Sequence, residues 1–252
     1  SLYPSLMLTW KVRPQGDSLG IFLGMLERLR EFRLQARGLE RQAQEPEERR
    51  FYGALQNTFK ILINSFYGYL GFSGGTFNDY RAAEHVTLAG QRLIQKVVED
   101  LRELGATPIE VDTDGVYFSP PASVVSEEDE IAFIQRISDR LPDGINLAHD
   151  GRFRRMLSLK IKTYALLDWE GRMTLTGSAL RSRSLERCFQ QYIHDTAAAF
   201  LREDDTAARD IYFRLGEAII GGTLPIDQIS QWTMIREATI ASRSRLKQAL
   251  DA

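Results

Sequence analysis

The 252-residue sequence has a single cysteine, Cys188, so no disulfide can form within the chain. It contains no CxxC pair and no Cys/His cluster of the kind that binds zinc. No apolar run approaches the roughly 18 residues that a membrane span needs, and the chain does not open with a targeting segment. These absences argue against a disulfide-rich secreted scaffold, a zinc module and a membrane protein. They predict an intracellular protein, located in the cytoplasm.

An excess of charge of one sign is also missing, because 32 basic and 34 acidic residues leave a net charge of −2. The charges are nevertheless separated along the chain. Residues 99–150 hold 13 acidic and 3 basic side chains, whereas residues 151–187 hold 9 basic and 3 acidic ones. Ordinary solvated faces would explain this pattern, and so would a metal site near a phosphate-binding wall. With 43% apolar residues the chain can bury a large core, which excludes a disordered or fibrous protein.

The hydrophobic pattern predicts a chain of helices interrupted by short strands. Pro46 lies in a break between the first two helices, which therefore read as a helical hairpin. Two β-rich arms around a tight turn predict a β-hairpin. The predicted elements are an N-terminal strand at 1–10, helices at 21–43, 48–67 and 80–104, β-arms at 107–111 and 116–119, a helix at 126–141, strands within 154–167 and at 172–176, and a mainly helical stretch at 185–250.

Two of the predicted helices carry polar stripes. At about 100° per residue, the helix at 48–67 places these residues on one narrow arc: Gly53, Asn57, Lys60, Asn64 and Tyr67. A lysine beside amides could present a cation to phosphate, although an ordinary amphipathic helix would look the same. The helix at 21–43 is predicted to bury Met25, Phe32, Ala36, Leu39 and Ala43, with Arg30, Arg33, Arg37 and Arg41 opposite. Two facing cationic stripes would repel unless an anion lay between them, which favours phosphate binding.

The turn at 112–115 places two carboxylates, Asp112 and Asp114, one residue apart at the tip of the predicted β-hairpin. Carboxylate oxygens are the hard ligands that Mg²⁺ prefers. An Asx-type turn is the simpler alternative. A calcium loop of the EF-hand kind fits poorly, because Val116 would take its fifth position and no glutamate follows at its twelfth. The turn therefore favours magnesium over calcium.

Three sequence motifs, in the same order, resemble those of family B DNA polymerases. Residues 1–5, SLYPS, are similar to the end of the family's D-x-x-S-L-Y-P-S motif, and residues 60–68 match K-x-x-x-N-S-x-Y-G. Residues 112–114 match D-T-D. Looser matches are KIKTY at 160–164 to K-K-x-Y, and residues 176–183 to K-G-x-E-x-x-R-R. The resemblance covers essentially the whole chain, and the ordered set makes chance an unconvincing explanation.

The sequence also departs from the family pattern. Glu110 and Val111 replace the Tyr-Gly that usually precedes D-T-D, and Gly115 replaces the serine that follows it. The first lysine of K-K-x-Y is displaced to Lys160. The metal-binding aspartate of the first motif would lie before Ser1. The 252-residue chain is therefore expected to be inactive as an isolated fragment.

The resemblance implies an α+β fold: a right-hand polymerase core with an antiparallel-sheet palm, a helical-hairpin fingers subdomain and a mainly helical thumb. The implied activity is template-directed addition of deoxynucleotides to a primer 3′ end with two Mg²⁺ ions. The implied partners are primer–template DNA and deoxynucleoside triphosphates, without a membrane, and with upstream exonuclease and N-terminal domains in the parent chain. The implied boundaries are palm 1–20, fingers 21–68, palm 69–176 and thumb 177–252.

The resemblance also assigns roles to individual residues. Asp114 would be the principal catalytic metal ligand and Asp112 the second. Tyr3 would pack under the sugar, where a ribose 2′-hydroxyl would clash. The strand at 2–8 and Asp114 are expected to be neighbours in one antiparallel sheet. The nucleotide-binding residues would be Leu2, Tyr3, Arg33, Arg37, Lys60 and Asn64, and the DNA-binding residues would be Tyr67, Gly68, Lys162 and Tyr164.

Simpler interpretations of these residues stay open. Tyr3 could be a core aromatic, Lys162 and Tyr164 could lie on a plain strand, and Arg33 and Arg37 could form ion pairs with glutamates at helical spacing. At the level of the whole protein, a catalytically silent polymerase-like module that binds nucleic acid is one alternative. A helical interaction protein with coincidental motifs is another.

Overall fold

The computed structural model describes residues 2–178, 180 and 185–231, and its backbone divides into two compact units, 1–150 and 151–252. The chain mixes helices with small antiparallel sheets, which confirms the α+β class. The predicted helical stretch at 185–250 is described only as far as residue 231, and its end lies outside the described residues. Ser1 and half of the loose match at 176–183, namely Ala179 and 181–183, also lie outside them.

The first unit is mostly helical and contains one β-hairpin. The two strands of the hairpin have the predicted bounds. The longer helices begin and end within about one turn of the predicted residues. The elements are α1 (Leu2–Thr9), α2 (Ile21–Gln42), α3 (Pro46–Leu70), α4 (Tyr80–Glu103), β1 (Thr107–Val111), β2 (Val116–Ser119) and α5 (Glu127–Ser138).

The N-terminal segment is a helix, so the predicted strand at 1–10 is wrong. A short apolar run fits a buried helix as well as a strand, and Pro4 is tolerated because it lies in the first turn of α1. Leu6 and Met7 are fully buried, and α1 packs against α2, α3 and α4. The expected sheet joining residues 2–8 to Asp114 is therefore wrong as well. Among the described residues, β1 and β2 pair only with each other.

The helical hairpin formed by α2 and α3 confirms the prediction for 21–67. Pro46 occupies the first turn of α3, where its missing N–H costs no hydrogen bond. The rings of Phe22 and Phe66 lie 5.0 Å apart between centroids, and those of Phe32 and Phe59 lie 5.8 Å apart. These two ring pairs fix the antiparallel register of the hairpin.

The buried face of α2 agrees with the predicted one only in part. Ala36, and Ala43 just after the helix, are buried as predicted, whereas Met25, Phe32 and Leu39 are exposed. Phe22 and Leu26 are buried in their place. The sequence of α2 contains two overlapping apolar stripes, and packing against the aromatic side chains of α3 selects the one through Phe22. Arg33 is half-buried as a result, rather than facing solvent opposite the core. On α3 the fully buried residues, Ile63 and Leu70, both lie in the half nearest its C-terminal end.

The β-hairpin packs against α4 and α5. Val97 and Leu101 of α4 form a buried cluster with Phe133 and Ile137 of α5 and with Ala106. The helix α5 begins with a capping box, in which Ser126 and Asp129 exchange side-chain and backbone hydrogen bonds. Strand β1 packs against α4, and the ring of Phe118 on β2 lies 5.8 Å from the ring of Phe133 on α5, so each strand of the hairpin is supported by a helix.

A buried carboxylate ties α4 to the end of α5. Asp100 is 2% exposed, and its oxygens accept hydrogen bonds from Arg140 at 2.8 Å and from Lys96 at 3.1 Å. Burial opposes ionisation, yet the hydrogen bonds from Arg140 and Lys96 hold the pKa of Asp100 below its usual value. The group thus contributes stability in its charged form.

Replacing Asp100 by asparagine is expected to lower the free energy of unfolding at pH 7 by about 1.5–3 kcal/mol, because hydrogen bonds to a charged group are lost. The folded pKa lies below the unfolded one, so this contribution is present above pH about 4 and disappears as the pH falls through the folded value. Urea unfolding at several pH values measures it. Glu103→Gln, which removes an exposed partner of Arg140, is the control and should change little. A deficit that grows in acid would contradict the assignment.

The second unit contains a three-stranded antiparallel sheet and a group of helices. The strands are β3 (Arg155–Lys160), β4 (Thr163–Leu167) and β5 (Met173–Thr176), in that order across the sheet. Ala165 and Leu167 of β4 form a buried cluster with Ala197 and Leu201. These two residues belong to the first helix of this unit, which therefore packs against the sheet. The helices are α6 (Arg187–Leu201), α7 (Asp205–Ile220) and α8 (Ile226–Ile229).

Among the described helices of both units, none combines the length and the apolar character that crossing a membrane requires.

Candidate active site

The turn between β1 and β2 presents the two carboxylates differently. The backbone N–H of Asp112 donates to the carbonyl oxygen of Gly115 at 2.9 Å, which closes the turn. Asp112 Oδ1 accepts from the backbone N–H of Thr113 at 2.6 Å and from its hydroxyl at 3.2 Å. Asp114 is exposed and has no hydrogen bond or ion pair with any described residue. Local hydrogen bonds therefore orient Asp112, while Asp114 is available for a ligand.

This donor set suits Mg²⁺ in its chemistry, because both side chains offer hard carboxylate oxygens. In the part of the chain that the structure describes, no group of three or more His, Cys, Asp or Glu side chains is close enough to hold a metal ion. The turn thus supplies two carboxylates, and an octahedral Mg²⁺ ion takes its remaining ligands from water, substrate or other protein groups.

The helical hairpin carries the predicted cationic residues. Arg33 is half-buried, and its Nε atom is buried without a hydrogen-bond partner among the described residues. Burial and the neighbouring charge of Arg37 both lower the pKa of Arg33. An anion would satisfy the Nε atom and relieve the repulsion between the two guanidinium groups.

Lys60 and Asn64 lie one turn apart on α3, and both are exposed. Since Phe59 lies opposite Phe32, the register places Lys60 at the level of the turn that contains Arg33. The structure therefore places Lys60 and Arg33 at a similar level along the hairpin, and Arg37 lies about one turn further along α2. Asn64 lies one turn nearer the core.

Tyr3 and Tyr67, which the sequence places 64 positions apart, pack against each other. Their ring centroids are 4.3 Å apart and their planes are inclined by 37°. The Tyr67 hydroxyl lies 2.7 Å from the hydroxyl of Thr87 on α4, and Thr87 in turn donates to the carbonyl oxygen of Ala83 at 3.0 Å. That second bond leaves Tyr67 as the donor to Thr87. Tyr3 therefore rests on a ring that α4 holds in place.

Leu2 lies at the start of helix α1, and Gly68 lies near the end of helix α3. Leu2 is in the first turn of α1, half-buried against the main core of the first unit. Gly68 is exposed in the last turn of α3, and a Cβ atom there would meet nothing within 4 Å. Its carbonyl oxygen accepts from the N–H of Gly71 at 3.2 Å.

The remaining predicted residues, Lys162 and Tyr164, belong to the second unit. Lys162 lies in the turn between β3 and β4 with a positive φ of 58°, rather than within a strand. Tyr164 is 8% exposed on β4, which is the central strand. Gly177, with φ 110°, lies against this turn, because a Cβ atom there would be 2.8 Å from the Lys162 carbonyl oxygen and from Thr163 Oγ1. Only glycine fits this position without displacing backbone.

Comparison with known proteins identifies the family of this chain. A model of "DNA polymerase family B" matches residues 9–219. The chain belongs to DNA polymerase family B. The resemblance inferred from the motifs at 1–5, 60–68 and 112–114 is thereby confirmed.

Several archaeal proteins are similar to this family B chain. "DNA polymerase 1" of Pyrococcus abyssi is 29% identical over 200 residues, covering 70% of this chain and 26% of that protein. "DNA polymerase" of Thermococcus sp. (strain 9oN-7) is 27% identical over 229 residues, covering 81% of this chain and 30% of that protein. The chain therefore spans 26–30% of the length of these relatives.

A solved structure shares the fold of this family B chain. It is the family B DNA polymerase from the hyperthermophilic archaeon Pyrobaculum calidifontis, with a TM-score of 0.69 and 20% sequence identity. The match covers 100% of this chain and 36% of that one.

Three residues of this family B chain were missed by the sequence analysis. Thr87 binds Tyr67, Gly90 lies beside Tyr3, and Gly177 lies beside Lys162. Thr87 and Gly90 fall within a predicted helix without any local signal. Gly177 belongs to the loose match at 176–183, but the sequence does not indicate its contact with the Lys162 turn.

Proposed function

We propose that this chain forms the core of a template-directed DNA polymerase that adds deoxynucleotides to the 3′ end of a primer. The palm would comprise 1–20 and 69–176, the fingers 21–68 and the thumb 177–252. The observation that carries the proposal is the packing of Tyr3 against Tyr67. It joins the SLYPS segment to the end of the helix that carries Lys60 and Asn64, which supports a shared site built from these two motifs.

The proposed metal ligands are Asp114, as the principal one, and Asp112. When bound there, two Mg²⁺ ions would activate the primer 3′-hydroxyl and neutralise the departing pyrophosphate. The exposed position of Asp114 and its lack of a described protein partner support this role. The hydrogen bonds from Thr113 would keep the Asp112 carboxylate oriented and leave it less available to a metal ion than Asp114. This supports Asp114 as the principal ligand and Asp112 as the second.

The proposed triphosphate site is on the fingers hairpin. Arg33, Arg37 and Lys60 would neutralise the phosphates, and the amide of Asn64 would donate a hydrogen bond beside them. The Nε atom of Arg33, which is buried and has no hydrogen-bond partner within the described part of the chain, supports an anion at this level of the hairpin. The protein's contribution to phosphoryl transfer is then mainly positioning and charge stabilisation.

The proposed sugar site lies where α1 meets α3. The backbone at Leu2 would approach the phosphates, and the ring of Tyr3 would pack beneath the sugar. A ring fixed by Tyr67 and Thr87 would leave little space for a 2′-hydroxyl, so deoxynucleotides would be preferred.

The proposed DNA contacts are Tyr67, Gly68 and Lys162. They would touch the minor groove of the primer–template near its terminus, where contacts read shape more than sequence. For Tyr164, which is largely buried, we assign a packing role that sets the position of the Lys162 turn.

Primer extension tests the proposal. We propose that the 252-residue chain, which supplies two carboxylates at this turn, extends a primer poorly by itself and that a version as long as its relatives extends it efficiently. Nucleotide addition is measured at equal DNA occupancy with Mg²⁺. If the long version bound primer–template but added no nucleotide, the chain would be a catalytically silent nucleic-acid-binding module instead.

The chain is expected to bind primer–template DNA in a strongly salt-dependent way. Residues 151–187 hold 9 basic and 3 acidic side chains, and phosphate contacts release counterions. If about four phosphates are neutralised, the slope of log K against log salt is roughly −4. Fluorescence anisotropy between low and moderate salt measures it. An affinity that does not change with salt would contradict the proposed DNA surface.

A further inference from the structure

Gly90 is buried in the interior of α4, where glycine costs helix stability relative to alanine. A Cβ atom at this position would lie 3.1 Å from Cε1 of Tyr3, 3.4 Å from Cδ1 of Leu6 and 3.6 Å from Cδ2 of Leu2. Carbon atoms pack best at about 3.5–4.0 Å, so Leu2 and Leu6 leave almost enough room and the Tyr3 ring does not. The absence of a side chain at position 90 therefore makes room chiefly for the ring of Tyr3.

The ring of Tyr3 is held from two directions by α4. One edge lies against Gly90, and the centroid of the Tyr67 ring lies 4.3 Å away. Tyr67 is itself anchored to Thr87, which lies about one turn before Gly90 on the same helix. A side chain at Gly90 would push the Tyr3 ring away from α4, and Tyr67 would limit its sideways movement.

We propose that Gly90 is a specificity-determining position, because its missing side chain sets how deeply the Tyr3 ring is seated against α4. That depth fixes the space left for a substituent at the 2′ carbon of an incoming nucleotide. The inference rests on the proposed function, in which Tyr3 packs beneath the sugar. Gly90 acts through Tyr3 and is a positioning residue.

The test compares deoxynucleotide and ribonucleotide insertion by an active polymerase form that contains this chain. In Gly90→Ala the ring should advance toward the sugar by a few tenths of an ångström, which a 2′-hydroxyl tolerates less well than a hydrogen. Since a displacement of 1 Å can cost about a hundredfold, we expect the deoxynucleotide preference in kcat/KM to rise by about threefold or more. Most of the change should appear in the KM for the ribonucleotide.

Two further variants separate this role from helix packing. Tyr3→Ala should lower the deoxynucleotide preference, and adding Gly90→Ala to it should change the preference no further, because no ring is left to displace. Gly38→Ala in α2, where a Cβ atom would meet nothing within 4 Å, is the matched control and should leave the preference unchanged. Both nucleotides are measured on one preparation, so any loss of folded protein cancels in the ratio.

The outcomes are distinguishable. An unchanged or lower preference in Gly90→Ala overturns the inference, and so does an equal effect of Gly90→Ala in the presence and absence of the Tyr3 ring. If Tyr3→Ala leaves the preference unchanged, the role of Tyr3 fails and the inference fails with it, although polymerase activity stands. If the parent protein adds neither nucleotide to a primer, the proposed function itself is overturned.

Discussion

Replacing Asp114 by asparagine in an active form of the proposed polymerase is expected to slow nucleotide addition by about a thousandfold. Metal-ion stabilisation of the transition state is worth several kcal/mol, and about 4 kcal/mol corresponds to roughly a thousandfold in rate. Asparagine keeps the shape of the side chain but removes the charge that would hold the ion. DNA binding should change little, because Asp114 lies at the tip of a turn and has no described partner to lose. Single-turnover extension of a saturated primer–template measures the effect.

Two other aspartate variants are compared with Asp114→Asn. Asp112→Asn should also slow the reaction, but less, because Thr113 occupies one of its oxygens. Asp143→Asn alters an exposed aspartate in the same unit and should leave the rate within about twofold of the parent, since surface changes away from special features are small in energy. An equal loss in all three variants, or a loss of DNA affinity that explains the slower rate, would refute the role of Asp114.

The second large effect is expected at Lys60. In Lys60→Ala we expect the nucleotide concentration required to rise and kcat/KM to fall by about tenfold or more, because a charge-assisted phosphate contact is worth about 1.5–3 kcal/mol. Primer–template affinity should hardly change. Lys162→Ala should have the opposite pattern: its main effect should be weaker binding of the primer–template, with less effect on nucleotide kinetics. Steady-state insertion kinetics and anisotropy titrations measure the two effects separately.

The control for Lys60 is another cation on the same helix. Arg50 is exposed in the first part of α3, and Arg50→Ala should leave both nucleotide kinetics and DNA affinity near the parent values. Lys60→Arg should restore part of the activity, because the positive charge returns with different geometry. If Lys60→Ala and Lys162→Ala gave the same phenotype, the proposed division between nucleotide and DNA contacts would be wrong.

Elements with strong local signals could be predicted from the sequence. The β-hairpin at 107–119 is defined by β-rich arms and a turn of turn-forming residues, and its strands are where the sequence placed them. The α2–α3 hairpin is marked by Pro46 and by helical periodicity on either side. In both cases the residues within one segment determine the structure, and distant contacts do not decide it.

Features that depend on packing could not be predicted. The segment 2–9 is apolar enough for a strand, and only its burial among the other helices favours a helix. The half-buried position of Arg33 follows from which stripe of α2 meets α3, a choice that the sequence of α2 leaves open. The same limit applies to the candidate site. Its motif residues are visible in the sequence, whereas Thr87 and Gly90 gain their importance from Tyr67 and Tyr3, which come from other segments.

The uneven burial along the α2–α3 hairpin implies a gradient of local stability. The fully buried residues of α3 are Ile63 and Leu70, and the segment before them, from Pro46 to Leu62, has none. Segments with few buried apolar contacts open at a smaller free-energy cost than the core to which they are attached. The outer part of the hairpin should therefore exchange its amide hydrogens faster than the inner part. Opening of the outer part would then require no disruption of the main core.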